Sequence, residues 1–232
     1  MSGFIGVVVG LKSEEKAVRE ALDRLSEADQ ARVRIAVSGA DAARAEAHAR
    51  AFAEAGAVAL LSVGISGGLD PALSSGDLLL GFGVRAEGET MEASEALLEV
   101  ARAASPQLKN VLLAGVDAVV ETAAEKRTLF DGTGAAAVDM ESHAVARAAA
   151  GAGLPFAALR AIADPSDRAL PPSTAGAIAP DGSVRVLSVL TKIAGRPFDL
   201  PALLKLGNDQ ALALASLRDG LGDLLPRLLL VV

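Results

Sequence analysis

The sequence predicts an α/β fold in which one sheet is covered by helices on both faces. Short Val/Ile/Leu-rich runs alternate with Ala-rich amphipathic stretches, the pattern of strands joined by crossover helices. The runs are apolar almost throughout, as strands buried on both faces are. The 232 residues contain neither an internal repeat nor a dividing linker, so a single domain over 1–232 is expected.

Strands are expected at Phe4–Val9, Val33–Val37, Ala57–Val63, Asp77–Val84, Val111–Gly115, Ala135–Val138 and Phe156–Ile162. Helices are expected at Glu14–Leu25, Asp41–Ala55, Glu92–Ala104, Thr122–Phe130 and Glu141–Ala150. Gly56 and Gly153 serve as C-terminal stops, with Pro155 beyond the second. After Asp164 the texture changes, because Pro165, Pro171, Pro172 and Pro180 break a loop that ends at Asp181-Gly182. Ser183–Ala194 and Pro201–Leu225 then read as helices, so 165–232 is expected to be a Pro-rich loop with a helical C-terminal extension. The greasy close Leu224–Val232 has two readings, packing on the core or contact with a subunit or a membrane surface.

Composition removes several function classes. A net charge of −7 disfavours phosphate backbones, and 3% aromatic residues with no Trp or Tyr cannot build stacking platforms, so no nucleic acid is expected. With no Cys there is no disulfide, thiolate nucleophile or thiolate metal site. His48 and His143 are the only imidazoles, so neither a metal nor another cofactor is expected. No basic segment precedes the apolar run after Met1-Ser2-Gly3, and no stretch approaches the roughly 20 apolar residues of a membrane span. A cytoplasmic location is expected.

Four pieces carry chemistry. Gly64-Ile65-Ser66-Gly67-Gly68-Leu69 follows the apolar run Val58–Val63, where glycines allow a tight turn or a close backbone approach to a ligand. Its spacing is not the dinucleotide fingerprint. Asp139-Met140-Glu141 joins a strand to a helix. The acids there either cap that helix, or Glu141 accepts hydrogen bonds from ribose hydroxyls while Met140 meets an apolar ligand surface. Asp164 closes the strand Leu159-Arg160-Ala161-Ile162-Ala163-Asp164, as a turn starter before Pro165 or as a partly desolvated general acid. Alternation puts residues 160, 162 and 164 on one face, with Arg160 a structural partner for a carboxylate. Glu14-Glu15 follows Gly10, as surface acids in a first helical turn or as a base that orients water.

The order of these pieces is first-strand glycine then acid, strand–Gly-Gly-Leu–Ser-Gly-Asp–strand, Asp-Met-Glu, and a strand ending Arg-x-Ile-x-Asp. From Phe4 to about Asp167 it resembles the nucleoside phosphorylase/nucleosidase superfamily, in particular its methylthioadenosine/S-adenosylhomocysteine nucleosidase branch. The Pro-rich loop, Asp181-Gly182-Ser183-Val184-Arg185 and Leu203-Leu204-Lys205-Leu206-Gly207 are similar to the hopanoid-associated phosphorylases.

The resemblance implies a three-layer α/β/α phosphorylase-like fold with a mixed central sheet, and cleavage of the N-glycosidic bond of a purine nucleoside. It implies adenosylhopane as substrate, releasing adenine in hopanoid biosynthesis. A methylthioadenosine/S-adenosylhomocysteine nucleosidase and a non-catalytic nucleoside sensor are the alternatives. Residue by residue, Glu141 matches the acid on the 2′-hydroxyl, Asp164 the acid at purine N7, and Met140 the residue under the ribose, with Asp139 beside it. Val119 and Val120 fall where an aromatic and an aliphatic residue meet the base. Ile65, Ser66 and Gly67, with the loop Ser38-Gly39-Ala40, lie near the nucleophile. Counting from Gly10 selects Glu15 as the water-orienting acid, and sliding by one selects Glu14. Ala163 stands where a Ser commonly supports the catalytic acid. Lys12 and Arg44 are the obvious cations in the loops nearby, Arg44 being the phosphate candidate; so thin a set favours water over phosphate as nucleophile. The implied partners are a lipid-linked purine nucleoside, a second copy in a homodimer, and a transient contact at the inner face of the membrane.

Overall fold

The computed structural model describes residues 3–232, and their side chains except at 186, 189, 190, 193, 194 and 197. The reading of Met1 and Ser2 as lacking a leader lies outside the described residues. The strands are β1 (Phe4–Val9), β2 (Val33–Val37), β3 (Ala57–Gly68), β4 (Leu78–Ala86), β5 (Glu89–Glu92), β6 (Lys109–Gly115), β7 (Ala137–Asp139) and β8 (Phe156–Asp164). The helices are α1 (Lys12–Leu22), α2 (Glu27–Gln30), α3 (Ala42–Glu54), α4 (Glu95–Ala104), α5 (Ala123–Thr133), α6 (Ser142–Ala152), α7 (Val186–Gly195) and α8 (Leu200–Val231).

The sheet is mixed, as expected. On one side β2, β1 and β3 run parallel. Beyond them β3 pairs with β8 in parallel, β8 with β4 antiparallel, β4 with β6 in parallel and β6 with β7 in parallel. The last two residues of β3 then pair antiparallel with β7, so five strands close into a ring. Gly67 is the hinge of this closure, being the register partner of Val138 in β7 and of Asp164 in β8.

Helices cover both faces. Ile5, Val7, Leu61, Leu159 and Ala161 face α1, α4 and α8 in one buried cluster. Val8, Leu60, Ala158 and Ile162 face α3 and α6 in another, whose Ala-rich surfaces let helix and strand approach closely. The alternation read along β8 is therefore observed, with 161 and 163 opposite 162. The greasy terminus packs on the core: Leu217, Leu221, Leu225 and Leu228 are buried against the sheet and α1, while Leu230 and Val231 stay exposed. Helix α8 is thus an integral part of one layer. Among the described residues, no helix is long and apolar enough to cross a membrane.

Two local readings need correction. Glu92 does not begin a helix, because Glu89–Glu92 forms an extra strand on β4. The turn between them places Glu87 at φ 52° and Gly88 at φ 85°, the paired positive angles of a tight hairpin. The glycines after Val63 do not form a turn either, since β3 continues through Gly68. The reason is space: a Cβ on Gly64 would lie 2.7 Å from Arg160 Nη1 and 2.7 Å from Glu14 Oε1.

Candidate active site

The site forms at the carboxyl ends of β1, β3, β7 and β8, where parallel α/β sheets gather ligands. An inner chamber of about 180 Å³ is walled by Glu14, Ser66, Met140, Glu141 and Asp164, with Val119 and Val120 beside them. It shares Leu11, Ile65, Met140, Ile178 and Gln210 with an outer chamber of about 430 Å³.

Asp139, Glu141 and Arg160 divide the work at the start of α6. Asp139 Oδ1 accepts the backbone N–H of Glu141 at 2.9 Å and of Ser142 at 2.6 Å. The capping reading therefore falls to Asp139, and Glu141 makes no side-chain cap bond. Asp139, expected among the substrate-binding residues, borders the inner chamber but has this oxygen engaged. The Arg160 guanidinium, buried in β8, donates from Nη2 to Asp139 Oδ1 (3.0 Å), Ser62 Oγ (2.6 Å) and Ser142 Oγ (2.9 Å). Burial pushes the Asp139 carboxyl up, but Arg160 and the two backbone donors outweigh it and hold the group below the usual carboxylate range. Glu141 Oε2 lies 3.7 Å from Arg160, and burial, the chief cause, raises this acid to about 8.

Glu14, not Glu15, is the acid of α1 that reaches the chamber. Its Oε2 accepts the N–H groups of Gly10 (2.7 Å) and Leu11 (2.8 Å), and its Oε1 accepts that of Ile65 (2.8 Å). Burial nevertheless raises its pKa, against those bonds and Arg160. Glu15 points outward and pairs with Arg19 one helical turn on, at 2.6 Å. The preference for Glu15 is corrected on that ground: adjacent helical residues point about 100° apart, so only one can face the cleft.

Asp164 enters from the far side. Burial pushes its carboxyl above the usual value, and Lys126 and Arg168 pull against that rise. Lys126 escaped sequence reasoning. It belongs to the charged run Glu125-Lys126-Arg127, which reads as a solvated helix face, yet its side chain is fully buried and binds Asp164 Oδ2 at 2.5 Å. Leu170 and Ile178 of the Pro-rich loop and Gln210 of α8 complete the wall, because the tertiary fold brings both segments over the cleft.

The loop glycine Gly39, with Ala40, borders the outer chamber. Arg44 does not reach either chamber; it donates to the carbonyls of Ser38 (2.5 Å) and Gly39 (3.2 Å), stapling that loop. As a phosphate ligand it is corrected, because these donors are already committed to the backbone. Among the described residues no Lys or Arg lines either chamber. Ser66 Oγ is buried at the inner wall without a partner among them. No His/Asp/Glu cluster suited to a metal occurs among the described residues.

The fold is shared with futalosine hydrolase of Helicobacter pylori strain 26695, at 17% identity, 97% of each chain covered and a TM-score of 0.73. It is shared too with a methylthioadenosine/S-adenosylhomocysteine nucleosidase from Colwellia psychrerythraea in complex with adenine, at 16% identity, 98% and 96% coverage and a TM-score of 0.72. The nucleosidase from Neisseria meningitidis in complex with methylthio-immucillin-A gives 18% identity, 96% and 98% coverage and a TM-score of 0.69. No curated protein matches the sequence. The description of the phosphorylase superfamily matches residues 5–194, and the chain belongs to that superfamily.

Proposed function

We propose that this protein hydrolyses the N-glycosidic bond of a purine nucleoside whose 5′ position bears a large apolar group, with adenosylhopane as the substrate. The observation that carries the reading is the convergence on one inner chamber of Glu141, two residues beyond the end of β7, and Asp164, the last residue of β8, with Gly67 pairing to both strands. Cleavage of this bond passes through an oxocarbenium-like transition state, for which flanking carboxylates are suited. Asp164 gives its proton to purine N7 as the C1′–N9 bond breaks and its electron pair enters the base. Glu141 binds the 2′-hydroxyl and stabilises the sugar cation. Glu14 holds the water that attacks C1′ and takes its proton.

Water is favoured over phosphate because no cation lines the chambers among the described residues, while Glu14, Asp139, Glu141 and Asp164 line the inner chamber and Glu121 the outer one. The apolar 5′ group is favoured by the outer chamber, whose walls include Leu170, Ile178, Val184, Leu203, Leu206 and Leu214. The reading includes a homodimer and a brief membrane contact that delivers the lipid-linked substrate.

A second reading, hydrolysis of methylthioadenosine or S-adenosylhomocysteine, is favoured by the fold shared with nucleosidases in complex with adenine and with methylthio-immucillin-A. Adenine release from adenosylhopane, methylthioadenosine and S-adenosylhomocysteine, with and without phosphate, tests both. Preference for the lipid-linked nucleoside supports the first reading, and faster turnover of the thioethers replaces it with the second. Binding without turnover leaves a nucleoside sensor.

A further inference from the structure

We propose that Lys126 is a positioning residue for Asp164, fixing Oδ2 so that Oδ1 is the oxygen that carries the proton to the leaving base. The proposal rests on the functional reading above and concerns a residue to which that reading gives no part.

The geometry is specific. Lys126 projects from α5 into the end of β8, and its ammonium is sealed from solvent. It donates to Asp164 Oδ2 (2.5 Å) and to the carbonyls of Pro165 (2.8 Å), Arg168 (3.0 Å) and Asp164 itself (3.2 Å). Four acceptors around three N–H groups leave no free donor, so the ammonium holds the acid and the backbone after it as one unit. Among the described residues Lys126 is the one side chain hydrogen-bonded to Asp164. Ala163 has nothing to donate and faces the apolar cluster on the other side of β8.

The surrounding charges define the expected effect. Arg168, from the loop after β8, acts on Asp164 at longer range and is itself paired with Asp209 of α8. Glu14, Asp139, Glu141 and Arg160 form the opposite group, and Gly67 of β3 brings no charge. Lys126 is thus the nearest counterion of the acid. An ammonium on Oδ2 favours the ionised carboxyl, making Asp164 a stronger acid than burial alone would leave. It also restricts the proton to the oxygen free to face the base. A general acid works only while protonated, so activity falls as pH rises through its pKa. Removing Lys126 raises that pKa and moves the falling limb to higher pH.

The test compares wild type with Lys126→Met by single-turnover cleavage of the nucleoside that wild type cleaves fastest, across pH. The expected result is a kcat lower by about 10–100-fold with KM changed by less than about threefold. The falling limb should move up by about one pH unit or more. In an Asp164→Asn background the same substitution should add no further loss.

Lys126→Met strands three carbonyls, so a second variant guards against a folding defect. The chain has no cysteine, and Lys126→Cys can be alkylated uniquely while unfolded and then refolded. Aminoethylation restores an ammonium at nearly the original length, whereas ethylation restores bulk alone. Recovery by the first adduct and not the second supports the proposal; equal recovery overturns it.

Carbon NMR titration of the Asp164 carboxyl, assigned by loss of its signal in Asp164→Asn, requires no substrate. An unmoved Asp164 titration in Lys126→Met, with wild type active, overturns the Lys126 assignment alone. Failure of wild type to cleave any nucleoside removes the functional reading, and the catalytic part of this proposal with it.

Discussion

Glu141 stands 3.7 Å from Arg160, too far for a hydrogen bond, while Asp139 takes that guanidinium at 3.0 Å. One buried cation thus serves two neighbouring acids unequally. Asp139 is held ionised as a structural anchor, and Glu141 keeps much of the penalty of burial. An acid in that condition is suited to meet a charge that appears only during reaction, such as a sugar cation.

The imbalance has a pH signature in stability. Glu141 is raised from 4.5 to about 8, so its protonated form stabilises the fold fully below about pH 4.5. That contribution is lost as pH rises through about 8. Glu141→Gln cannot ionise, and its unfolding free energy should gain on wild type across this window by roughly 2–5 kcal/mol. Denaturant titrations at about pH 5 and about pH 9 check it; parallel pH slopes in the two proteins would refute the assignment.

The two acids of α1 should separate cleanly. Glu14→Gln removes the acceptor of the Gly10, Leu11 and Ile65 N–H groups and should lower turnover by at least about 100-fold. Glu15→Gln breaks an exposed pair with Arg19, worth at most about 0.5 kcal/mol, and should leave turnover within about twofold. Steady-state rates on both variants decide the matter, the reverse ranking restoring Glu15.

Asp164→Asn keeps the shape of the chamber wall and removes the transferable proton. Its turnover should fall by at least about 100-fold with little change in substrate affinity. An unaltered single-turnover rate would remove Asp164 from the mechanism.

Phosphate should neither accelerate the reaction nor enter the product. Free sugar with a reducing end is the expected product, with and without phosphate, and Arg44→Ala should not alter that indifference. A sugar 1-phosphate in the product mixture would contradict it.

Much of the fold was legible because strand burial writes itself as apolar runs. Phe4–Val9 and Val33–Val37 were read with their observed limits, and Gly153 stops α6 at φ 65°. Strand β5 was not, since Glu89-Thr90-Met91-Glu92 is an edge strand whose exposed acids resemble a helix start. In the site, Glu141 and Asp164 were legible as acids at element ends. The choice between Glu14 and Glu15 was not, because a boundary error of one residue rotates a helix by about 100°. Lys126 was hidden for a different reason: a buried lysine looks like a surface one until its counterion is found some forty residues away in sequence.

The closed ring of five strands bears on how the molecule breathes. An open sheet frays from its rims, but β7 and β8 are each secured on two flanks around Gly67. Amide protons of Val138 and Ile162 should therefore exchange with solvent at rates set by global unfolding, while those of 172–185 exchange through cheap local openings. The mobility that admits a bulky ligand would then reside in the outer wall, leaving the carboxylates undisturbed.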